Sequence, residues 1–226
     1  MIIRAVQKFS AVDYPGLLCA TVFTPGCNLR CPFCHNGSLV LESEPDLREE
    51  VVFDFLETRK NKLDAVCLSG GEPLLQKGVE EFFKRVKEMG FKTKLDTNGT
   101  RPQYLKEILE SGFVDYVAMD IKNSPAKYAE TVGLKAFNLS DIYKSIEVLK
   151  TSGVEHEFRT TVTRTFHDEE SLREASEMIE GASQWYLQTY RESENVIDKS
   201  VEGYSEEEMK NLFENLRKTV PFVKMR

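Results

Sequence analysis

The chain has 226 residues, of which 41% are hydrophobic and 30% are charged, and its formal net charge is -7. This composition is typical of a soluble globular protein, and no stretch approaches the 18 apolar residues of a membrane span. The first 25 residues lack the apolar run of a signal peptide, so a cytoplasmic location is expected. An acidic chain without a Lys/Arg cluster also argues against a nucleic-acid partner.

Strand-like and helix-like segments alternate along the chain. The apolar, β-branched runs predict six strands, with a seventh candidate at 220–225. Strands that alternate with helices predict a parallel sheet with right-handed crossovers. Eight such units close a TIM barrel, so six predict an α/β fold that is a partial (β/α)6, TIM-like barrel, open on one side. The six predicted strands are 17–24, 64–69, 92–97, 114–121, 157–163 and 184–190.

The segments between these strands have apolar residues at helical spacing. The first helix is predicted at 47–60, with Asp46 and Glu49 as a capping-box pair. The last is predicted to start at a second capping box, formed by Ser205 and Glu208. The four helices between them are expected to end at glycines, namely Gly90, Gly112, Gly153 and Gly181.

Three of the five cysteines lie in PGCNLRCPFCHN, with the spacing C-x3-C-x2-C at Cys27, Cys31 and Cys34. Three types of site are compatible with this motif. A zinc site needs a fourth ligand, and His35 is adjacent to Cys34. A redox dithiol of Cys31 and Cys34 leaves Cys27 unexplained. A [4Fe-4S] cluster held by three cysteines has one iron open for another ligand. The other two cysteines, Cys19 and Cys67, lie in apolar strands and are expected to be buried structural thiols.

The polar and glycine-rich features follow the predicted strands. Because the carboxyl ends of barrel strands share one rim, these features predict a single active site there. Carboxylates on three consecutive strand ends, Glu72, Asp96 and Asp120, suit an amine. Lys122 suits a carboxylate, so together these groups suit an amino acid. The features are the cysteine loop, SGGEP (69–73), DTNG (96–99), MDIK (119–122), Arg159, Gln188 and Tyr190.

The cysteine motif, with Phe33 before its third cysteine, resembles the signature of radical S-adenosylmethionine (SAM) enzymes, and SGGEP resembles their SAM amino-group motif. The resemblance implies a single radical SAM domain over 1–226, with an N-terminal extension at 1–16 and a cluster loop at 25–37. It implies one [4Fe-4S] cluster on Cys27, Cys31 and Cys34. The SAM-binding residues that it implies are Phe33, Gly70, Gly71, Glu72, Asp96, Asn98, Asp120, Lys122, Arg159 and Gln188.

DYPG (13–16), the cysteine loop, DTNG and DIK together resemble glycyl-radical-enzyme activating proteins. The short form is similar to the activators of anaerobic ribonucleoside-triphosphate reductase, and the activators of pyruvate formate-lyase are close relatives. The resemblance implies an oxidoreductase that cleaves SAM reductively and takes a hydrogen atom from a glycine of a partner enzyme. Flavodoxin or ferredoxin is the expected electron donor. Some relatives hold a monovalent cation beside the SAM carboxylate, at positions that match Asp96, Thr97, Ala118 and Asp120.

Two other functions are compatible with the residues. A radical SAM enzyme of the same fold could act on RNA, a sugar or a peptide. A zinc-binding or electron-transfer module would use the cysteines without SAM chemistry. Metal analysis and SAM cleavage separate these hypotheses.

Overall fold

The computed structural model describes residues 1–41 and 46–226. The strands are β1 (Ala5–Tyr14), β2 (Leu17–Thr24), β3 (Ala65–Gly70), β4 (Lys92–Thr97), β5 (Tyr116–Asp120), β6 (Glu155–Val162), β7 (Trp185–Thr189) and β8 (Val223–Met225). The helices are α1 (Gly37–Leu41), α2 (Glu49–Glu57), α3 (Val79–Glu88), α4 (Pro102–Glu110), α5 (Tyr128–Thr131), α6 (Ser140–Ser152), α7 (Glu169–Met178) and α8 (Glu206–Arg217), with a 3-10 turn at Pro73–Leu75.

The eight strands of the described residues form one sheet, in chain order from β1 to β8. Strands β2 to β8 are parallel, and β1 is antiparallel to β2. Because β1 and β8 are the two edges of the sheet and are not paired with each other, the barrel is open on one side. The predicted partial barrel is therefore confirmed, and β8 is the seventh parallel strand that was a candidate in the sequence.

Strand β1 was not predicted from the sequence, and neither was the short helix α1. Much of the strand is exposed, including Phe9 and Val12, so it lacks the apolar pattern of the parallel strands. Its pairing with β2 is also irregular, with register shifts on both sides of Ser10. One signal was present in DYPG. Pro15 and Gly16, the latter with φ 73°, separate the paired residues of a tight hairpin.

The predicted start of α2 is wrong. The helix begins at Glu49, and Arg48 at its N-cap makes no side-chain capping bond. Asp46 instead pairs with Arg4 at 3.0 Å, while Glu49 pairs with the N-terminal amine of Met1 at 2.7 Å and with Arg85 at 3.2 Å. Both carboxylates therefore form ion pairs with distant residues and do not cap the helix. The capping box of Ser205 and Glu208 at α8 is confirmed.

One face of the sheet packs against the helices, and the other lines the barrel interior. Side chains alternate between the two faces, so Leu68 and Leu95 enter the hydrophobic core while their neighbours face inward. Cys19 and Cys67 are fully buried, as predicted, and their sulfur atoms lie 3.6 Å apart. Among the described residues, no helix has the length and apolar character that crossing a membrane requires.

An ion pair between Arg226 and the buried Glu157 lies near the amino end of β6. Glu157 is fully buried and accepts two hydrogen bonds of 2.8 Å from the Arg226 guanidinium and one of 2.9 Å from the Tyr116 hydroxyl.

Removing one partner of a buried pair leaves an uncompensated charge. We therefore expect Arg226→Ala to lower the free energy of unfolding by about 3 kcal/mol, measured by urea denaturation. Lys60→Ala, which breaks an exposed pair with Glu57, should change it by less than about 0.5 kcal/mol. Equal losses from the two variants would contradict this account.

Candidate active site

A cavity of about 350 Å³ lies at the carboxyl ends of the parallel strands. The cysteine loop, which follows β2, forms one wall, and the ends of β3 to β7 form the others. The candidate site residues from the sequence meet at this cavity, with the exception of Glu72 and Tyr190. Those that line it are Cys27, Cys31, Phe33, Cys34, Gly70, Gly71, Asp96, Asn98, Asp120, Lys122, Arg159 and Gln188.

The cysteine loop is held by backbone hydrogen bonds to several parts of the chain. The Gly26 amide donates to Leu39 O at 2.9 Å, and the Arg30 amide donates to Val132 O at 3.0 Å. Burial raises the pKa of all three cysteine thiols, and that of Cys31 to about 12. A positive centre is therefore needed to stabilise the thiolates, and a coordinated metal does this directly.

The geometry bears on one of the alternatives for the cysteine site. Cys27, Cys31 and Cys34 all line the same cavity, and a dithiol of Cys31 and Cys34 would not account for Cys27. A [4Fe-4S] cluster uses all three thiolates, each on a different iron. The arrangement therefore favours a three-cysteine cluster over a dithiol.

Gly70 and Gly71 bring the end of β3 against the backbone of the cysteine loop. Gly70 has φ 121°, a conformation that side chains disfavour. A Cβ atom on Gly71 would lie 1.8 Å from the carbonyl oxygen of Gly26. The Gly71 amide donates to Thr24 O at 2.9 Å, and the Glu72 amide donates to Gly26 O at 2.8 Å. A larger residue at position 71 would therefore push the cysteine loop away from the end of β3.

Glu72 lies behind the cavity wall, although the sequence suggested that it faces a ligand amine. Its side chain is fully buried and accepts hydrogen bonds from the amides of Leu74 at 3.0 Å and Asn98 at 2.6 Å, and from the Thr97 hydroxyl at 2.8 Å. Burial raises the pKa of Glu72 to about 7, against the effect of these three donors. In this structure, Glu72 positions the start of the loop that carries Asn98.

The raised pKa predicts a pH effect on stability. The folded state holds the Glu72 proton up to about pH 7, whereas an ordinary glutamate releases it near 4.5. The folded state therefore binds more protons between these values, and stability falls as pH rises through them. Compared with Glu72→Gln, the wild type should lose up to about 3 kcal/mol across this range. Urea denaturation at a series of pH values measures both proteins, and curves that stay parallel would contradict the raised pKa.

A chain of five charged side chains crosses the interior beside the cavity. Lys94 Nζ lies 2.6 Å from Asp96 Oδ1, and Arg159 lies 3.3 Å from Asp96 Oδ2. Arg159 also lies 3.2 Å from Asp120 Oδ1, and Lys122 Nζ lies 2.9 Å from Asp120 Oδ2. Burial alone would raise the pKa of Asp96, but Arg159 and Lys94 lower it to about 2. Lys122 and Arg159 likewise keep the pKa of Asp120 below its usual value, against the effect of burial.

On the sixth predicted strand, which is β7 in the structure, the sequence left Gln188 and Tyr190 as alternatives, and only one of the two lines the cavity. Gln188 on β7 lines it, whereas Tyr190 is buried and stacks on His35 with ring centroids 5.4 Å apart. The cavity also includes residues that were not assigned a role. Among them is Asp13, which accepts a hydrogen bond of 2.7 Å from Thr21. Asp13 lies on β1, so its place in the cavity wall could not be predicted without that strand.

Comparison with known proteins identifies the family. The radical SAM superfamily model matches residues 21–182. The chain belongs to the radical SAM superfamily. Membership implies a [4Fe-4S] cluster and SAM, which agrees with three thiols and a set of carboxylates and cations around one cavity.

Similar proteins place this radical SAM enzyme among the glycyl-radical enzyme activating enzymes. A Methanocaldococcus jannaschii protein named as a glycyl-radical enzyme activating enzyme is 35% identical over 84% of this chain and 80% of its own length. The pyruvate formate-lyase-activating enzyme of Clostridium pasteurianum is 31% identical over 78% of this chain and 75% of its own.

Solved structures agree with the fold. A radical SAM methyltransferase from Sphaerobacter thermophilus has a TM-score of 0.74 at 17% identity, over 94% of this chain and 67% of that chain. SuiB from Streptococcus suis, in a structure with S-adenosylmethionine bound, has a TM-score of 0.72 at 15% identity, over 91% of this chain and 51% of that chain.

Proposed function

We propose that this protein activates an anaerobic ribonucleoside-triphosphate reductase by generating a glycyl radical on it. The observation that carries the proposal is the placement of three thiols opposite a carboxylate and cation network in one cavity. This occurs in a chain that is 35% identical to a protein named as a glycyl-radical enzyme activating enzyme. We further propose that residues 1–226 act as a single radical SAM domain.

The cysteines would hold the cluster, and the polar wall would hold SAM. Cys27, Cys31 and Cys34 would each bind one iron, which leaves the fourth iron for the amine and carboxylate of SAM. The SAM amine would lie near Asp96 and Asp120, and Lys122 would reach the SAM carboxylate. Gly70 and Gly71 would give the methionine end of SAM close access to the backbone, and Arg159 and Gln188 would contact the ribose end.

When bound at these residues, a reduced cluster and SAM would supply the one-electron chemistry that makes hydrogen abstraction from a glycine Cα possible. The protein would bind and position the reactants. Phe33 contributes by packing against Phe166 and His167, with ring centroids 6.0 Å and 6.2 Å away. Its ring therefore helps to fix the loop between Cys31 and Cys34.

The open side of the barrel supports a protein substrate. A second cavity, of about 510 Å³, is lined by residues 11–16 of the β1–β2 hairpin, and by Arg159, Gln188 and Arg226. It shares Asp13, Arg159 and Gln188 with the first cavity. A glycine-bearing loop of a partner would approach between the hairpin and β7. An electron donor such as flavodoxin or ferredoxin would approach the cysteine loop, where Asn28 and Arg30 are exposed.

Activation of pyruvate formate-lyase is the second candidate, because a pyruvate formate-lyase-activating enzyme is 31% identical to this chain. The two candidates differ in the partner that acquires a radical. Reduced, reconstituted protein and SAM are mixed with either glycyl radical enzyme, and the radical is measured by electron paramagnetic resonance. We expect a glycyl radical on the reductase and none on the lyase. A radical only on the lyase would overturn the proposed partner, and SAM cleavage without a radical on either would overturn both candidates.

A further inference from the structure

We propose that the Lys94 ammonium serves as a built-in cation for the Asp96–Asp120 pair, so that this protein binds SAM without a monovalent metal cation. The proposal rests on the proposed SAM site. It differs from the expectation, drawn from relatives, that a monovalent cation lies at Asp96, Thr97, Ala118 and Asp120.

Lys94 is a buried lysine in a position that the mechanism above does not use. Its side chain is 1% exposed, and its Nζ lies 2.6 Å from Asp96 Oδ1. Lys94 and Asp96 are two residues apart on β4, so both project to the same face of the sheet, into the barrel. Burying an ammonium is costly unless an opposite charge compensates it. Asp96 provides that charge.

The carboxylate oxygens that would bind a metal cation already have charged partners. Asp96 Oδ1 accepts from Lys94, while Asp96 Oδ2 contacts Arg159 at 3.3 Å and the Ser69 hydroxyl at 3.1 Å. Asp120 Oδ1 accepts from Arg159 at 3.2 Å, and Asp120 Oδ2 accepts from Lys122 at 2.9 Å. A metal cation that approached either carboxylate would therefore come close to a positively charged side chain on every oxygen.

The other two matching positions offer little to a cation. The Thr97 hydroxyl donates to Glu72 at 2.8 Å and accepts from the Gly99 amide at 3.1 Å. Ala118 has no polar side-chain atom, and its backbone lies within the ladder of paired strands. The residues present therefore do not fit a monovalent metal site.

The net charge of the five side chains around Asp96 and Asp120 also argues against a metal cation at this position. Lys94, Arg159 and Lys122 contribute three positive charges beside the two negative charges of Asp96 and Asp120. A further cation would meet a set that is already positive, and close like charges repel. Lys94 is therefore a positioning residue. It fixes the orientation of Asp96, and Asp96 in turn would contact the amine of SAM.

The test compares SAM affinity in different salts. Reconstituted wild type is titrated with SAM in sodium, potassium or tetramethylammonium chloride at one ionic strength, because the bulky tetramethylammonium ion cannot enter such a site. We expect the Kd of the wild type to vary by less than about twofold. In Lys94→Gln, which lacks the ammonium, we expect a Kd roughly tenfold higher in tetramethylammonium, with sodium or potassium recovering part of the loss.

Lys87→Gln is the matched control, because Lys87 pairs with Asp115 at 2.8 Å away from the cavity. It should match the wild type in every salt. The proposal is overturned if the wild type loses SAM affinity in tetramethylammonium and recovers it with potassium or sodium, or if Lys94→Gln behaves as the wild type does. The wild-type comparison decides the matter even if Lys94→Gln does not fold.

Thermal unfolding of the SAM-free protein in the same three salts separates this inference from the proposed function. Equal wild-type Tm values in the three chlorides support a site without a metal cation. A saturable rise in wild-type Tm with sodium or potassium over tetramethylammonium overturns the built-in cation, whether or not SAM binds. Absence of SAM binding in every salt overturns the proposed function, and equal Tm values would then support only the part of the inference that concerns the Asp96–Asp120 pair, namely that Lys94 takes the place of a metal cation there.

Discussion

Cys31→Ala is expected to abolish SAM cleavage, with a loss of more than about 1,000-fold, because removal of one thiolate leaves a [4Fe-4S] cluster without a complete ligand set. Cys31 is the most buried of the three cysteines in the loop, and its sulfur lines the cavity. Iron and sulfide content after anaerobic reconstitution, followed by 5'-deoxyadenosine formation from SAM, measures the effect. The variant should hold less iron and form no nucleoside above background.

Cys19→Ala is the matched control for this prediction. Cys19 is fully buried, but its nearest thiol is Cys67, at 3.6 Å, and it does not line the active-site cavity. The control should lose stability, because the change leaves a small cavity in the barrel. It should keep its iron and its SAM cleavage. If Cys31→Ala retained full iron and activity while Cys19→Ala lost them, the cluster would be assigned to the wrong cysteines.

Arg159→Met is expected to lower the free energy of unfolding by about 3 kcal/mol at neutral pH, because it leaves two partly buried carboxylates without their shared cation. Arg159 connects Asp96 and Asp120 at 3.3 Å and 3.2 Å. The SAM Kd should rise by roughly 100-fold, as these carboxylates repel each other and change orientation. Urea denaturation and SAM titration of the reconstituted variant measure the two effects.

The stability loss in Arg159→Met should depend on pH. A carboxylate whose folded pKa lies below its unfolded value stabilises the protein above the unfolded value, and this contribution is lost as pH falls through the folded pKa. For Asp96 the pKa is 3.8 in the unfolded state and about 2 in the folded state. The difference between wild type and variant should therefore shrink as pH falls through this window. Arg217→Met, on the exposed side of α8, should change neither stability nor SAM affinity. A difference that stayed constant down to pH 2 would contradict the ion-pair account.

The parallel strands could be predicted from the sequence because each is a short apolar run bounded by helix and turn signals. That order also placed the cysteine loop, DTNG and DIK at one rim, and the structure has them around one cavity. Strand β1 could not be found in this way, because much of it faces outward and its pairing is irregular. Only the turn at Pro15 and Gly16 pointed to a hairpin, and with it to a place for Asp13 in the cavity wall.

Two further features could not be predicted from the sequence: the direction in which a side chain points, and its partners from distant parts of the chain. The motif SGGEP locates Glu72 at the rim, but the backbone turn after Gly70 directs its carboxylate toward Thr97 and Asn98, away from the cavity. Asp46 and Glu49 have capping-box spacing, yet Arg4 and Arg85 lie beside them in the fold. Lys94 was more accessible to prediction, because strand alternation puts it on the same face as Asp96.

Isotope labelling of the partner enzyme shows where the hydrogen atom taken by the 5'-deoxyadenosyl radical comes from. A partner glycyl radical enzyme is prepared with deuterium at its glycine Cα positions and incubated with reduced, reconstituted protein and SAM. Mass spectrometry then determines the deuterium content of the 5'-deoxyadenosine that forms. The account predicts one deuterium in the nucleoside, together with a glycyl radical on the partner. Unlabelled nucleoside from the labelled partner would show that the hydrogen comes from elsewhere, and would contradict the assignment of this protein as a glycyl-radical activating enzyme.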